Sequence, residues 1–187
     1  VGMSYGLVSG YFGGRVDFFL QRLVEILSTI PTTVIVTLLI VVMKPGLASN
    51  TIALMITEWI GMSRVARAQT LRLKEQEFVL AARTLGESTP AVMFREILPN
   101  IFGQMVVMCM MTIPNAIFTE AFLAFIGLGI PAPLASLGSL ISDGFKSMTM
   151  YPYMVACPVV VLALLMLSFN LLADGLRDAF DPKMKEM

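Results

Sequence analysis

Residues 77–100 read EFVLAARTLGESTPAVMFREILPN. In a chain otherwise dominated by apolar runs, this stretch sets Arg83, Glu87, Arg95 and Glu96 around Gly86, Pro90 and Pro99. The residues leading into it, VARAQTLRLKEQEFVLAARTLG (65–86), contain no Pro, and strong helix formers continue to Gly86. That pattern predicts a helix that leaves a membrane and continues into water from Val65 to Leu85. Gly86 suits the left-handed residue that stops a helix, and Arg83 lies favourably near the carboxyl end of the dipole. Thr89 followed by Pro90 predicts a new start, a hydroxyl N-cap with Pro at the first helical position. A short helix over AVMFREI follows, and Pro99 is read as opening the next apolar segment. The local physics predicts helix, glycine corner, helix, re-entry.

The surrounding chain supplies the membrane. Of its 187 residues 57% are hydrophobic and 14% charged, with a mean hydropathy of +0.81. A soluble domain carries roughly a quarter charged residues, so a membrane protein is the first reading. The formal net charge of zero gives no support to a nucleic-acid-binding surface. The chain has no His, which removes the commonest general base and metal ligand. Cys109 and Cys157 lie in apolar runs and are read as small buried hydrophobes rather than a disulfide framework. The chain opens with Val, and VGMSYGLVSGYFGG reads as the tail of an apolar span, so the start is read as a truncation.

A bilayer core takes roughly 20 apolar residues in helical form. Four segments approach that length, at about 18–43, 50–68, 100–126 and 152–173, with a partial span over 1–12. Pro31 is expected to kink the first of the four, and the second is short and marginal. The expectation is one transmembrane domain over 1–187, an all-α polytopic helical bundle in contact with lipid. Alternating the spans puts Arg15, Arg22, Arg64, Arg67, Arg72, Lys74, Arg83, Arg95, Arg177, Lys183 and Lys185 on one side, with only Lys44 and Lys146 opposite. Basic residues collect in the cytoplasm, so the loop at about 69–99 and the C-terminus are expected inside. Residues 127–150, rich in Pro and Gly, are then an external loop with one short helix.

Ala81 and Ala82 are small enough to let another surface approach the helix backbone closely, and Phe78, Val79 and Leu85 add apolar contact. The plainer reading is an amphipathic loop lying on the membrane. The sharper one is a docking helix that enters a groove on a soluble partner.

Ala-Ala, three residues, Gly, then a stretch ending Ile97-Leu98-Pro99 resembles the cytoplasmic "EAA" loop of ABC-type importer permeases. The flanks GYFGGRVD (10–17), LKEQEFVLAARTLG (73–86), REILPN (95–100), TEAFLAFIGLG (119–129) and LLADGLRDAFDP (171–182) resemble the peptide and nickel branch, in order along nearly the whole chain. The likeness is strongest to the second permease of oligopeptide or dipeptide importers in a bacterial or archaeal cell membrane. It implies the type I importer permease fold and half of a translocation path shared with a second permease subunit. Two cytoplasmic ATPase subunits would hydrolyse ATP-Mg, an external solute-binding protein would deliver cargo, and this chain would carry no cofactor and no catalysis. By position it implies that Phe78, Leu80, Ala81, Ala82, Arg83, Leu85 and Gly86 form the ATPase-coupling segment. Leu80 stands where the family usually has Glu, so no ionic role is carried over there. Nickel, opines and glycosides use closely related permeases, although the missing His gives a metal path no support.

Two other classes compete. Glu58 and Glu120 are predicted within or near spans, where a charge costs about 2.5–3.5 kcal/mol on insertion scales. They are read as path-lining or interhelical residues, the alternative being a proton relay in a secondary transporter. Asp143 and Asp174 invite an intramembrane aspartyl protease, but the spans separate them by most of the membrane. Asp174, Arg177 and Asp178 read better as a solvated cluster ending the last helix. GLGI at 127–130 lacks the Lys-Ser/Thr ending of a phosphate loop, so no nucleotide is expected on this chain.

Overall fold

The computed structural model describes residues 1–180; Lys183 and Lys185, used in the orientation argument, and the last two residues of the 171–182 flank lie outside them. Among the described residues all regular structure is helical. The order is α1 (Gly2–Phe12), α2 (Gly14–Thr29), α3 (Thr32–Met43), α4 (Leu47–Leu73), α5 (Glu77–Thr84), α6 (Thr89–Ala91), a π-helical segment (Val92–Ile97), α7 (Leu98–Phe125), α8 (Leu137–Lys146) and α9 (Tyr153–Phe180). These fall into two compact units: residues 1–29, 59–109 and 175–180, and residues 30–58 and 110–174.

The first unit is organised by backbone contact between α1 and α4. Gly2, Gly6 and Gly10 recur every fourth residue and share one face of α1. A Cβ on Gly2 would sit 2.5 Å from the Trp59 carbonyl oxygen, and one on Gly10 would sit 2.8 Å from that of Arg67. A Cβ on Gly6 would overlap the Ser63 carbonyl oxygen outright. The facing surface of α4 is correspondingly small and fully buried at Ser63, Ala66 and Thr70. Close approach through small residues is the usual way helices associate where lipid removes the hydrophobic drive between them. The two hydroxyls cost nothing unsatisfied, since Ser63 donates to the Ile60 carbonyl at 2.8 Å and Thr70 to that of Ala66 at 2.8 Å.

Four sequence expectations change here. The segment at 18–43 is broken rather than kinked: α2 ends at Thr29, and Pro31, with ψ of 130°, caps α3. Proline drives the preceding Ile30 out of helical geometry and cannot donate a backbone bond, so the ladder stops. The helix from Val65 to Leu85 is interrupted between Leu73 and Glu77 despite good propensity throughout. Lys74 donates to the Gly10 carbonyl at 3.0 Å, and the chain turns there so that α5 packs on the first unit's own core. Tertiary packing overrides intrinsic preference. Ser88 takes the N-cap position of the restart, one residue earlier than expected and without a side-chain capping bond, and Pro99 falls in the first turn of α7, which continues the preceding helical segment without a break. Residues Thr89–Phe125 run as one 37-residue helix, whose π-helical turns just before Pro99 supply the wider geometry that a proline inside a helix needs.

The second unit has a small core of Val36 and Ile40 from α3, Ala53 from α4 and Leu123 from α7. Helix α8 is the single helix expected in the 127–150 loop. A reciprocal Ser136–Ser139 capping box starts it, with bonds of 3.1 and 2.9 Å. Gly138 lies against Ala121 of α7, Gly144 against the Met154 carbonyl of α9, and Phe145 meets Phe125 edge-on at 5.2 Å.

By length and composition Thr89–Phe125 and Tyr153–Phe180 can each cross a membrane, and α2 with α3 makes a third if the pair is one span. Helix α4 has 27 residues, about 40 Å at 1.5 Å per residue, but Glu58, Arg64, Arg67 and Arg72 dilute its apolar character. Helix α9 presents Val160, Leu164, Leu167 and Leu171 outward. Cys109 and Cys157 are free and exposed, not buried as the apolar flanks suggested. In a chain of this class the outer surface is as apolar as the core, so hydrophobic neighbours do not locate a side chain inside.

Candidate functional site

Helix α5 has only eight residues, too few to be stable in isolation. It is held by Val79 (0% exposed) and Ala82 (8%), which join Leu7, Ala66, Val92, Met93, Ile97 and Ile101 in one cluster. A fully buried Val contributes about 1.5–3 kcal/mol relative to exposure, so Val79 carries much of the attachment. The far end is locked by a Schellman motif. Gly86 takes φ of 86°, its N–H donates to the Arg83 carbonyl at 3.0 Å, and the Glu87 N–H donates to that of Ala82 at 3.1 Å. No atom lies within 4 Å of a Cβ added there, so the position selects glycine by backbone conformation alone. Gly86→Ala should therefore cost about 1–2 kcal/mol. The thermal midpoint of the purified permease should fall by about 2–8 °C, and an unchanged midpoint would contradict the corner geometry.

The seven sequence-predicted coupling residues divide. Ala82 faces inward, so its small size serves the chain's own packing, while Ala81 is exposed. Phe78 is 39% exposed, Leu80 48% and Leu85 86%. With Ala81 they form an apolar surface on a rigidly anchored helix. The Arg83 guanidinium lies over the Tyr11 ring, 4.8 Å from its centroid, a contact that the sequence reading, which set Arg83 at the helix dipole and in the coupling segment, did not include.

A second group went unrecognised in the sequence. Arg67 of α4 makes a two-pronged ion pair with Asp17 of α2, Nε to Oδ1 at 2.6 Å and one terminal nitrogen to Oδ2 at 2.5 Å. Ser9 of α1 donates to the same carboxylate at 2.5 Å, and Gln21 donates to Ser9 at 2.9 Å. Asp17 stands just before the apolar run that begins at Phe18, and the hydrogen bonds from Arg67 and Ser9 offset the cost of its partial burial. A bidentate pair of this kind is the stronger class of ionic contact. Fifty residues separate its members, so no local pattern reveals it; the available signal was two charges beside apolar segments, each requiring a partner.

Glu58 and Glu120, both in the second unit, are half-buried, and among the described residues no ion pair engages either. One carboxylate oxygen of Glu120 is buried without a hydrogen-bond partner there. Asp143 is exposed and paired with Lys146 at 2.8 Å, a solvated i, i+3 contact rather than half of an aspartyl dyad.

With this geometry in place, comparison with known proteins gives a direct result. The sequence profile of the family described as "Binding-protein-dependent transport system inner membrane component" matches residues 2–186. The chain belongs to that family. It is a multi-pass membrane protein and a transport permease component, with the type I importer permease fold. The chain is 46% identical over 186 residues to the oligopeptide transport system permease protein OppC of Bacillus subtilis, covering 100% of this chain and 61% of that one. It is 44% identical to the dipeptide transport system permease protein DppC of Lactococcus lactis subsp. cremoris, covering 100% of this chain and 54% of that one. The corresponding DppC of Bacillus subtilis is 42% identical, with 99% and 58% covered. The chain thus spans a little over half the length of the curated relatives it matches.

Proposed function

We propose that this permease component is part of an ATP-driven peptide importer, forming half of the translocation path and receiving the ATPase through α5. The observation that carries the reading is the exposed apolar surface of Phe78, Leu80 and Ala81, continued by Leu85 at the C-cap, on a short helix held by its buried face and its glycine corner. Such a surface suits a groove on a soluble partner, the helix-in-groove mode of recognition. Residues 69–99 and the C-terminus then face the cytoplasm, where Mg-bound ATP is hydrolysed on partner chains. A second permease completes the path, and an external binding protein delivers cargo. Peptides are the favoured cargo because the relatives carry oligopeptide and dipeptide names.

Rigidity is what this role needs. Moving a two-state permease from 1:99 to 99:1 takes about 5.5 kcal/mol of differential interaction. A helix anchored by Val79, Ala82 and the Gly86 corner can transmit such a bias, whereas an unanchored loop would dissipate it.

The test is purification of the full-length permease from its native membrane, with mass spectrometry of the chains that accompany it. Two ATPases, a second permease and a binding protein are expected. Leu85→Glu puts a charge on the exposed apolar side chain at the C-cap of α5 and should weaken ATPase retention about tenfold or more without lowering the amount of permease inserted. A permease that emerges alone, even after cross-linking, would remove the reading and leave proton-coupled transport through Glu58 and Glu120 as the hypothesis to pursue.

A further inference from the structure

Three consecutive residues at the carboxyl end of α1 reach three different elements. Ser9 joins the Asp17–Arg67 pair and Gln21, tying α1 to α2 and α4. The Gly10 carbonyl accepts from Lys74, the residue at which the chain leaves α4 for α5. The Tyr11 ring packs on the core that seats α5 and lies beneath Arg83 of α5. The contacts of Gly10 with Lys74 and of Tyr11 with Arg83 are long-range in sequence.

We propose that the carboxyl end of α1 is the seat that sets the angle at which α5 is presented, with Tyr11 the positioning residue, acting through Arg83. The buried pair Val79 and Ala82 and the Gly86 corner attach α5, but the apolar part of that attachment is non-directional. The Arg83–Tyr11 contact borders the same buried face, one turn on from Val79 and on the flank away from Ala82, and resists rolling of α5 about that attachment. A cation over an aromatic face is directional, so it supplies orientation where apolar packing supplies only attachment. The Asp17–Arg67 pair and Lys74 hold the seat against α2 and α4. Arg83 therefore faces this chain's own α1 rather than the ATPase. This inference rests on α5 being the ATPase contact.

The test uses the full-length permease, in nanodiscs and in the complex as it co-purifies. Hydrogen–deuterium exchange over residues 77–86 reads the seat directly, whatever the complex transports. Tyr11→Leu, which keeps apolar bulk but removes the ring, should speed exchange about fivefold. Tyr11→Phe should stay within about twofold of wild type, since the ring face is retained. Tritiated trialanine taken up per ATP hydrolysed should fall about fivefold in Tyr11→Leu and not in Tyr11→Phe, at unchanged ATPase retention. Arg83→Met should reproduce the Tyr11→Leu values, and the double variant should be no worse than either.

Wild-type exchange in Tyr11→Leu and Arg83→Met overturns the seat. Equal loss in Tyr11→Phe overturns the ring contact as its agent. If Tyr11→Leu fails to reach the membrane, Arg83→Met, altered at an exposed side chain, decides alone. A wild-type preparation without ATPases defeats the transport reading instead, and the exchange result still judges the seat.

Discussion

Gly6→Leu is expected to separate α1 from α4 and to be the most damaging single substitution in the first unit. Its Cβ would overlap the Ser63 carbonyl oxygen and lie 2.7 Å from both the Ala66 Cβ and the Arg67 nitrogen. Two of these are backbone atoms, so no rotamer change relieves the clash; the helices must move apart. Separation uncovers Leu7 and Ala66, both core residues, and draws Ser9 and Gly10 from Asp17 and Lys74. Overpacking a core costs about 1–3 kcal/mol where side chains can adjust, and this site offers no such adjustment. A fall of about 10 °C or more in the thermal midpoint of the detergent-purified permease is expected. Gly6→Ala should show the same direction with a smaller loss, which keeps the measurement informative if the leucine variant does not accumulate. Gly61 of α4 has no atom within 4 Å of an added Cβ, so Gly61→Ala should be neutral or slightly stabilising. Equal midpoints for Gly6→Leu, Gly61→Ala and wild type would refute the backbone-on-backbone packing.

Ala82→Trp should uncouple the permease while leaving it inserted. Ala82 is 8% exposed and ringed by the cluster that seats α5. Forcing an indole there costs about 1–3 kcal/mol or more, against about 1.5–3 kcal/mol contributed by Val79, the main buried anchor of the helix. The two terms are comparable, so the substitution releases α5 from its seat. Peptide uptake by reconstituted transporter should be largely lost, and residues 77–86 should become susceptible to limited proteolysis. Ala81→Trp makes the decisive contrast. Its side chain is exposed, so the helix should stay seated and protease-resistant while ATPase retention falls. Normal uptake by a correctly inserted Ala82→Trp permease would show that the seat does not matter for coupling.

The contrast between these neighbouring alanines marks the limit of what the sequence conveys. Both are small, both precede the glycine corner, and a motif treats them as a pair. Which one faces inward is settled by packing on Leu7 and Ala66, residues distant in sequence that share a cluster with Ala82.

By itself the sequence determined the membrane class, the helical fold and the corner at Gly86. These follow from the density of apolar residues, the length of the apolar runs, which suits spanning helices rather than the shorter strands of a closed barrel, and the backbone freedom of glycine at positive φ, all properties of a residue and its near neighbours. Tertiary structure alone decided the break between α4 and α5, the inward turn of Ala82, the exposure of both cysteines, and the Asp17–Arg67 pair that ties α2 to α4. In a membrane protein lipid and core are equally apolar, so hydrophobicity cannot sort the inner face of a helix from the outer one. Only the approach of distant backbones, Gly6 on Ser63 above all, distinguishes them.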